Sequence, residues 1–148
     1  MPLKFGTIVQ VVFFDASPAE VYDALMDAKK HSKFTGSPAT VNAKVGSEFN
    51  AWDGYITAKN IELVKDKKIV QEWETTSWPK GYPRSRLELT LTKLNGGTEL
   101  RMVHANVPAE QVGSYTGGWT ESYWDPLKNY LGKPEKKAAK KTKRKPSA

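Results

Sequence analysis

The 148-residue sequence predicts an α+β fold. Its expected form is a curved antiparallel sheet of about six to seven strands wrapped around a long C-terminal helix, with two short helices after the first strand. Three observations predict it. A run rich in β-branched and aromatic residues opens the chain, and period-two alternation fills the middle from Pro38 to Asn106. An aromatic stripe at helical spacing then closes the folded part.

Thr7 to Phe14 is the opening strand. Ser17-Pro18-Ala19-Glu20 follows as a helix start, with Ser17 as the cap, Pro18 at the first helical position and Glu20 three residues after the cap. Val21, Tyr22, Leu25 and Met26 supply the apolar stripe of that helix. A second short helix runs from Ala28 to Phe34 and stops near Gly36. The strands expected next are Thr40–Lys44, Glu48–Trp52, Tyr55–Val64, Lys68–Trp78, Arg84–Leu94 and Glu99–Asn106. Asp53-Gly54 and Asn95-Gly96-Gly97 mark hairpin turns between them, Gly46-Ser47 marks a weaker turn, and Asp66-Lys67 is a polar break. Leu87, Leu89 and Leu91 alternate with Arg86, Glu88 and Thr90, so one sheet face is solvated and the other covered. The covering element is a helix from about Thr116 to Leu131, whose stripe is Tyr115, Trp119, Tyr123, Leu127 and Tyr130. Pro126 removes one intrahelical bond and is expected to bend that helix near Ser122. Gly117-Gly118 blurs its start.

Composition narrows the function. There is no cysteine, which excludes disulfides, thiolate metal sites and cysteine nucleophiles. His31 and His104 are the only histidines and have no partner at metal-ligand spacing, so neither a metal nor a cofactor is expected. The longest apolar run is the four residues from Val11 to Phe14, and no secretory signal is recognisable, so a cytoplasmic, non-membrane protein is expected. The net charge of +7 falls entirely on residues 133–148, where eight basic side chains face Glu135 alone. Residues 1–132 are therefore expected to form a neutral domain and residues 133–148 a disordered basic tail. Lys136, Lys137, Lys140, Lys141, Lys143, Arg144 and Lys145 are the candidates for binding an acidic partner. With no aromatic among them, any nucleic-acid contact would be non-specific and directed at phosphates.

Several segments in fixed order resemble the SRPBCC (START-like) superfamily, and within it the C-terminal domain of activators of the heat-shock-protein-90 ATPase. They are Phe34-Thr35-Gly36-Ser37-Pro38-Ala39, Val45-Gly46-Ser47-Glu48-Phe49, Asp53-Gly54-Tyr55-Ile56-Thr57 and Asn60-Ile61-Glu62-Leu63. Lys68-Ile69-Val70-Gln71-Glu72-Trp73, Ser77-Trp78-Pro79-Lys80-Gly81-Tyr82, Thr98-Glu99-Leu100, Val107-Pro108, Gly118-Trp119, Tyr123-Trp124 and Lys128 complete the pattern. The resemblance implies the helix-grip fold from about Ile8 to Gly132. It also implies a stress-related role, either as a small-molecule-binding protein or as a co-chaperone-like module docking on a heat-shock chaperone. Some members of the superfamily are cofactor-independent enzymes of cyclase or aromatase type, which keeps a third possibility open. In the co-chaperones the strongly stimulating segment lies in a separate N-terminal domain, and the residues before Thr7 are not expected to supply it. Weak docking with little ATPase stimulation is therefore expected.

A helix gripping a curved sheet often leaves a cavity, and Trp73, Leu89, Leu91, Met102, His104, Trp119 and Tyr123 are the expected lining for a small apolar or aromatic ligand. The alternative for each tryptophan is plain core packing. No paired carboxylates, phosphate-binding glycine loop or nucleophile elbow is found, so no catalytic residue is assigned. His104 has the repertoire of a general base, but the sequence places no acid to orient it, and a structural hydrogen-bonded role is expected. His31, among Lys29, Lys30 and Lys33, is expected at the surface.

Overall fold

The computed structural model describes residues 3–131. Six strands form one antiparallel sheet: β1 (Phe5–Phe14), β2 (Glu48–Ala51), β3 (Ile56–Val64), β4 (Lys68–Thr75), β5 (Ser85–Leu94) and β6 (Gly97–Pro108). Their spatial order is β1-β6-β5-β4-β3-β2, so β1 and β2 are the two edges. Two short helices, α1 (Pro18–Met26) and α2 (Ala28–Thr35), follow β1. A short 3-10 turn at Ala109–Gln111 leads into α3 (Val112–Trp119), a π-helical turn (Thr120–Trp124) and α4 (Asp125–Leu131), which together make the long C-terminal helix. No helix among the described residues is long and apolar enough to cross a membrane.

Local chemistry fixes the ends of α1 and α2. Ser17 Oγ accepts from the Glu20 amide, and the Glu20 carboxylate accepts from the Ser17 amide, which satisfies two of the orphan donors at the start of α1. Asp27 caps α2 by accepting from the Lys30 amide, and Gly36 ends it in the left-handed conformation, φ 77°. Asn95 and Gly96, both left-handed, make the β5–β6 hairpin turn.

Two expectations need correction. Thr40–Lys44 is not a strand: Thr40 alone pairs, with Asn50. The carbonyls of Asn42 and Lys44 instead accept from the side-chain amide of buried Asn60 (2.8 and 3.2 Å), and Gln71 donates to Asn60 Oδ1 (2.9 Å). A side-chain clamp thus takes the place of a ladder. The C-terminal helix also begins earlier than Thr116, and the predicted bend is realised as the π turn. There the Asp125 amide reaches back to the Thr120 carbonyl, five residues away, immediately before Pro126, which has no amide to give. The wide turn puts Tyr123 and Trp124 both in the core and advances the apolar frame by one residue, so Leu127 and Leu131 are buried while Tyr130 is only half-buried.

The core lies between the sheet's inner face and the helices, with Leu87, Leu89, Leu91, Leu100, Met102 and Trp73 from the sheet meeting Trp119, Tyr123, Trp124 and Leu127. The outer face of the β2–β5 half carries ion pairs: Arg84 with Glu74 (2.9 Å) and Glu48 (3.3 Å), Lys68 with Glu62 (3.4 Å), and Arg86 with Glu88 (2.9 Å). The tail assignments at residues 133–148 lie outside the described residues.

Candidate ligand cavity

One face of the long helix and the β2–β3 corner enclose a cavity of about 360 Å³, open to the surface. The helix contributes Tyr115, Gly118, Trp119, Ser122 and Tyr123, spaced three and four apart, with Ser114 beside them. The sheet side contributes Trp73 from β4, and Trp52, Tyr55 and Ile56 from the β2–β3 hairpin. Gly118 is what keeps the helix wall open, since a Cβ built there meets nothing within 4 Å among the described residues. Around the space runs a chain of rings. Trp73 lies 5.5 Å from both Trp119 and Tyr115, Trp78 stacks on Tyr115 at 5.9 Å, and Trp119 stacks on Trp124 at 5.2 Å.

Trp52 carries two local costs. Its backbone is left-handed (φ 53°), unusual for a bulky residue, and its indole N–H is buried with no acceptor among the described residues. An unsatisfied buried donor of this kind costs about 1–3 kcal/mol.

Polar groups behind the cavity are tied down. Tyr115 Oη and Thr75 Oγ1 are 2.6 Å apart, and burial, with Tyr55 nearby, pushes the Tyr115 phenol up to about 12. Tyr123 Oη donates to His31 Nε2 (2.9 Å), whose Nδ1–H donates to the Leu25 carbonyl at the end of α1 (3.0 Å). Burial pushes the Tyr123 phenol further up still. His31 is therefore not a surface residue. It is 1% exposed and ringed by Phe34, Phe49 and Tyr123, while the lysines beside it in sequence take the solvent side of the short helix.

His104 sits in a directed chain of hydrogen bonds. Trp119 Nε1–H donates to His104 Nδ1 (3.1 Å), which leaves the proton on Nε2; this donates to Ser85 Oγ (2.7 Å), and Ser85 donates to the Trp73 carbonyl (2.7 Å). Every group in the chain is used, and the imidazole is neutral, with burial holding it down at about 3. This is a structural tie between β4, β5, β6 and the helix.

Of the expected lining residues, Trp73, Trp119 and Tyr123 meet at the cavity. Leu89 lines, with these three, a second space of about 20 Å³, room for about one water. Leu91, Met102 and His104 belong to neither lining and are packed in the core. Sequence reasoning missed Trp52, Tyr55, Ile56, Ser114, Tyr115, Gly118 and Ser122 as lining. Stepping the helical stripe three and four residues from Tyr115 would have found Gly118 and Ser122; the pair flanking Asp53-Gly54 gave no such signal. The lining holds no carboxylate, imidazole, ammonium or guanidinium group, so what it offers a guest is aromatic faces and a few hydroxyls.

Comparison with known proteins agrees with this architecture. Residues 15–132 match the family model described as activator of Hsp90 ATPase homolog 1-like protein. The human activator of 90 kDa heat shock protein ATPase homolog 1 is 34% identical over 119 residues, covering 80% of this chain and 35% of that protein. A mouse relative, homolog 2, is 28% identical over 136 residues, covering 88% of this chain and 41% of its own length. This chain thus spans well under half the length of these relatives. Among solved structures, an Hsp90 activator from Plasmodium falciparum superposes with a TM-score of 0.77 at 24% identity, covering 85% of this chain and 96% of that one. With the family model matched over most of its length, this chain belongs to the family of activator of Hsp90 ATPase homolog 1-like proteins.

Proposed function

We propose that the chain is a co-chaperone-like module that docks on a heat-shock-protein-90-type chaperone. The observation that carries this is the 34% identity to the human activator over 119 residues. The match covers about a third of that relative, 35%, so docking and stimulation need not travel together. We expect binding without strong activation. Titration of the full chain into purified chaperone, with its ATPase followed in parallel, tests both points. Saturable binding with less than about twofold stimulation is expected; several-fold stimulation overturns the second point, and no binding at several hundred micromolar chain removes the reading.

The cavity favours a second property, the binding of a small, neutral, flat aromatic or apolar molecule. Its volume of about 360 Å³ falls within the range of small-molecule sites, and rings from both sheet and helix line it. Native mass spectrometry of the chain purified from its source cell is expected to retain such a guest. Gly118→Leu, which fills the open helix wall, is expected to abolish retention while leaving the circular dichroism spectrum unchanged. Equal retention by that variant would place the guest elsewhere. The lining offers no carboxylate, imidazole or amine, and burial raises the phenols of Tyr115 and Tyr123 away from neutral pH, which favours binding over turnover.

A further inference from the structure

The two edges of the sheet differ. β2 is four residues long, carries Glu48 and is bridged by Thr40. β1, at the opposite edge, runs ten residues without a charge or a proline. Its inward residues are committed, since Ile8 and Phe14 are buried and Gln10 holds both the Trp124 indole (2.7 Å) and the Thr116 carbonyl (3.0 Å). Its outward row is apolar and open: Val9, Val11 and Phe13 are 53%, 56% and 43% exposed. Among the described residues no strand pairs with the free side of β1. Natural sheets blunt long edges with lysines, prolines, bulges or short strands. β1 has one irregularity, between Gly6 and Ile8, and none of these devices from Ile8 to Phe14. The ion pairs of the outer face lie on the other half of the sheet.

We propose that β1 is the surface through which two copies of this chain associate, their β1 strands running antiparallel about a two-fold axis. Unpaired backbone groups on an edge select an extended partner. Three features make that partner a second β1. A two-fold axis normal to the sheet keeps both helix-covered faces on one side, so the Val9, Val11 and Phe13 rows of the copies meet on the other. The uncharged strand brings no charge against its own image. At its ends, antiparallel pairing sets the Lys4 end of one copy beside the Asp15 end of the other, unlike charges both times. Pairing of β1 with β2 of another copy would cover four residues only and would propagate head-to-tail without closing.

Sedimentation velocity of the full chain, from micromolar to near-millimolar, tests this together with concentration-dependent hydrogen exchange. A monomer–dimer equilibrium without larger species is expected, with β1 amides gaining protection as the dimer forms. The double variant Val9→Lys/Val11→Lys changes solvent-exposed positions only; it should keep the native spectrum and weaken association at least about tenfold, because like charges then face each other across the axis. Ile61→Lys, at an exposed position on β3, should leave association unchanged. A wild-type chain that stays monomeric throughout overturns the proposal. So does a dimer that the double lysine variant leaves intact, or open-ended assembly.

Discussion

His104 and His31 show how burial sets a charge state that the surrounding structure then depends on. Each is neutral because one ring nitrogen accepts and the other donates: His104 from Trp119 and to Ser85, His31 from Tyr123 and to the Leu25 carbonyl. Burial lowers them from 6.5 to about 3 and about 4. The unfolded chain therefore takes up protons below about pH 6.5 that the folded chain refuses, and the folded state loses stability as pH falls. The loss runs from about 6.5 down to about 4 for His31 and to about 3 for His104. Each contributes a slope on the order of 1.4 kcal/mol per pH unit within its window. Urea midpoints measured between pH 7 and pH 4 should fall accordingly, and the fall should be shallower in His31→Gln. A flat profile would show that the two imidazoles stay open to solvent in the folded chain.

At the scale of elements, the long helix holds together despite a proline and two adjacent glycines. A Cβ added at Gly117 meets nothing within 4 Å among the described residues, so Gly117→Ala should stabilise the fold by about 0.5–1 kcal/mol, read as a raised urea midpoint. Asn60 is the opposite case: its amide satisfies two carbonyls of the 40–47 loop, and Gln71 depends on its oxygen. Asn60→Ala should cost about 2–3 kcal/mol and loosen that loop first in hydrogen exchange. These two cases mark what the sequence disclosed. The capping box at Ser17 and Glu20, the Gly36 stop, the Asn95-Gly96 turn and the Leu87–Leu91 alternation are signals carried by neighbours a few residues apart, and they were legible. Asn60 reaches the carbonyls of Asn42 and Lys44 across a fold that does not yet exist in the sequence, so Thr40–Lys44 read as a strand. The π turn was half legible: Pro126 announced a defect near Ser122, but not that widening the turn would bury Trp124 beside Tyr123. For the same reason the aromatic stripe of the helix found Trp119 and Tyr123 as cavity walls, whereas Trp52 and Tyr55, brought in by the hairpin, were missed.

For the whole molecule, the division of charge sets the expected behaviour towards polyanions. Residues 133–148 hold the entire +7, so nucleic-acid affinity should come from that segment alone. The slope of log affinity against log salt on duplex DNA should not exceed about 7, the value for eight neutralised phosphates. Removing residues 133–148 should abolish retention on heparin or DNA at physiological salt and leave the thermal midpoint nearly unchanged. Retention by the shortened chain would assign the affinity to the domain instead. The rings that tie sheet to helix have an optical consequence as well. Trp119 and Trp124 lie 5.2 Å apart and within 15° of parallel, with Trp73 next in line at 5.5 Å from Trp119. Indoles this close couple electronically, so the near-ultraviolet circular dichroism of the chain is expected to carry a signal from the cluster rather than from any one residue. Of these contacts only Trp73–Trp119 crosses from sheet to helix, so its share of that signal is a built-in reporter of helix docking, lost when the helix lifts from the sheet and silenced by Trp73→Phe.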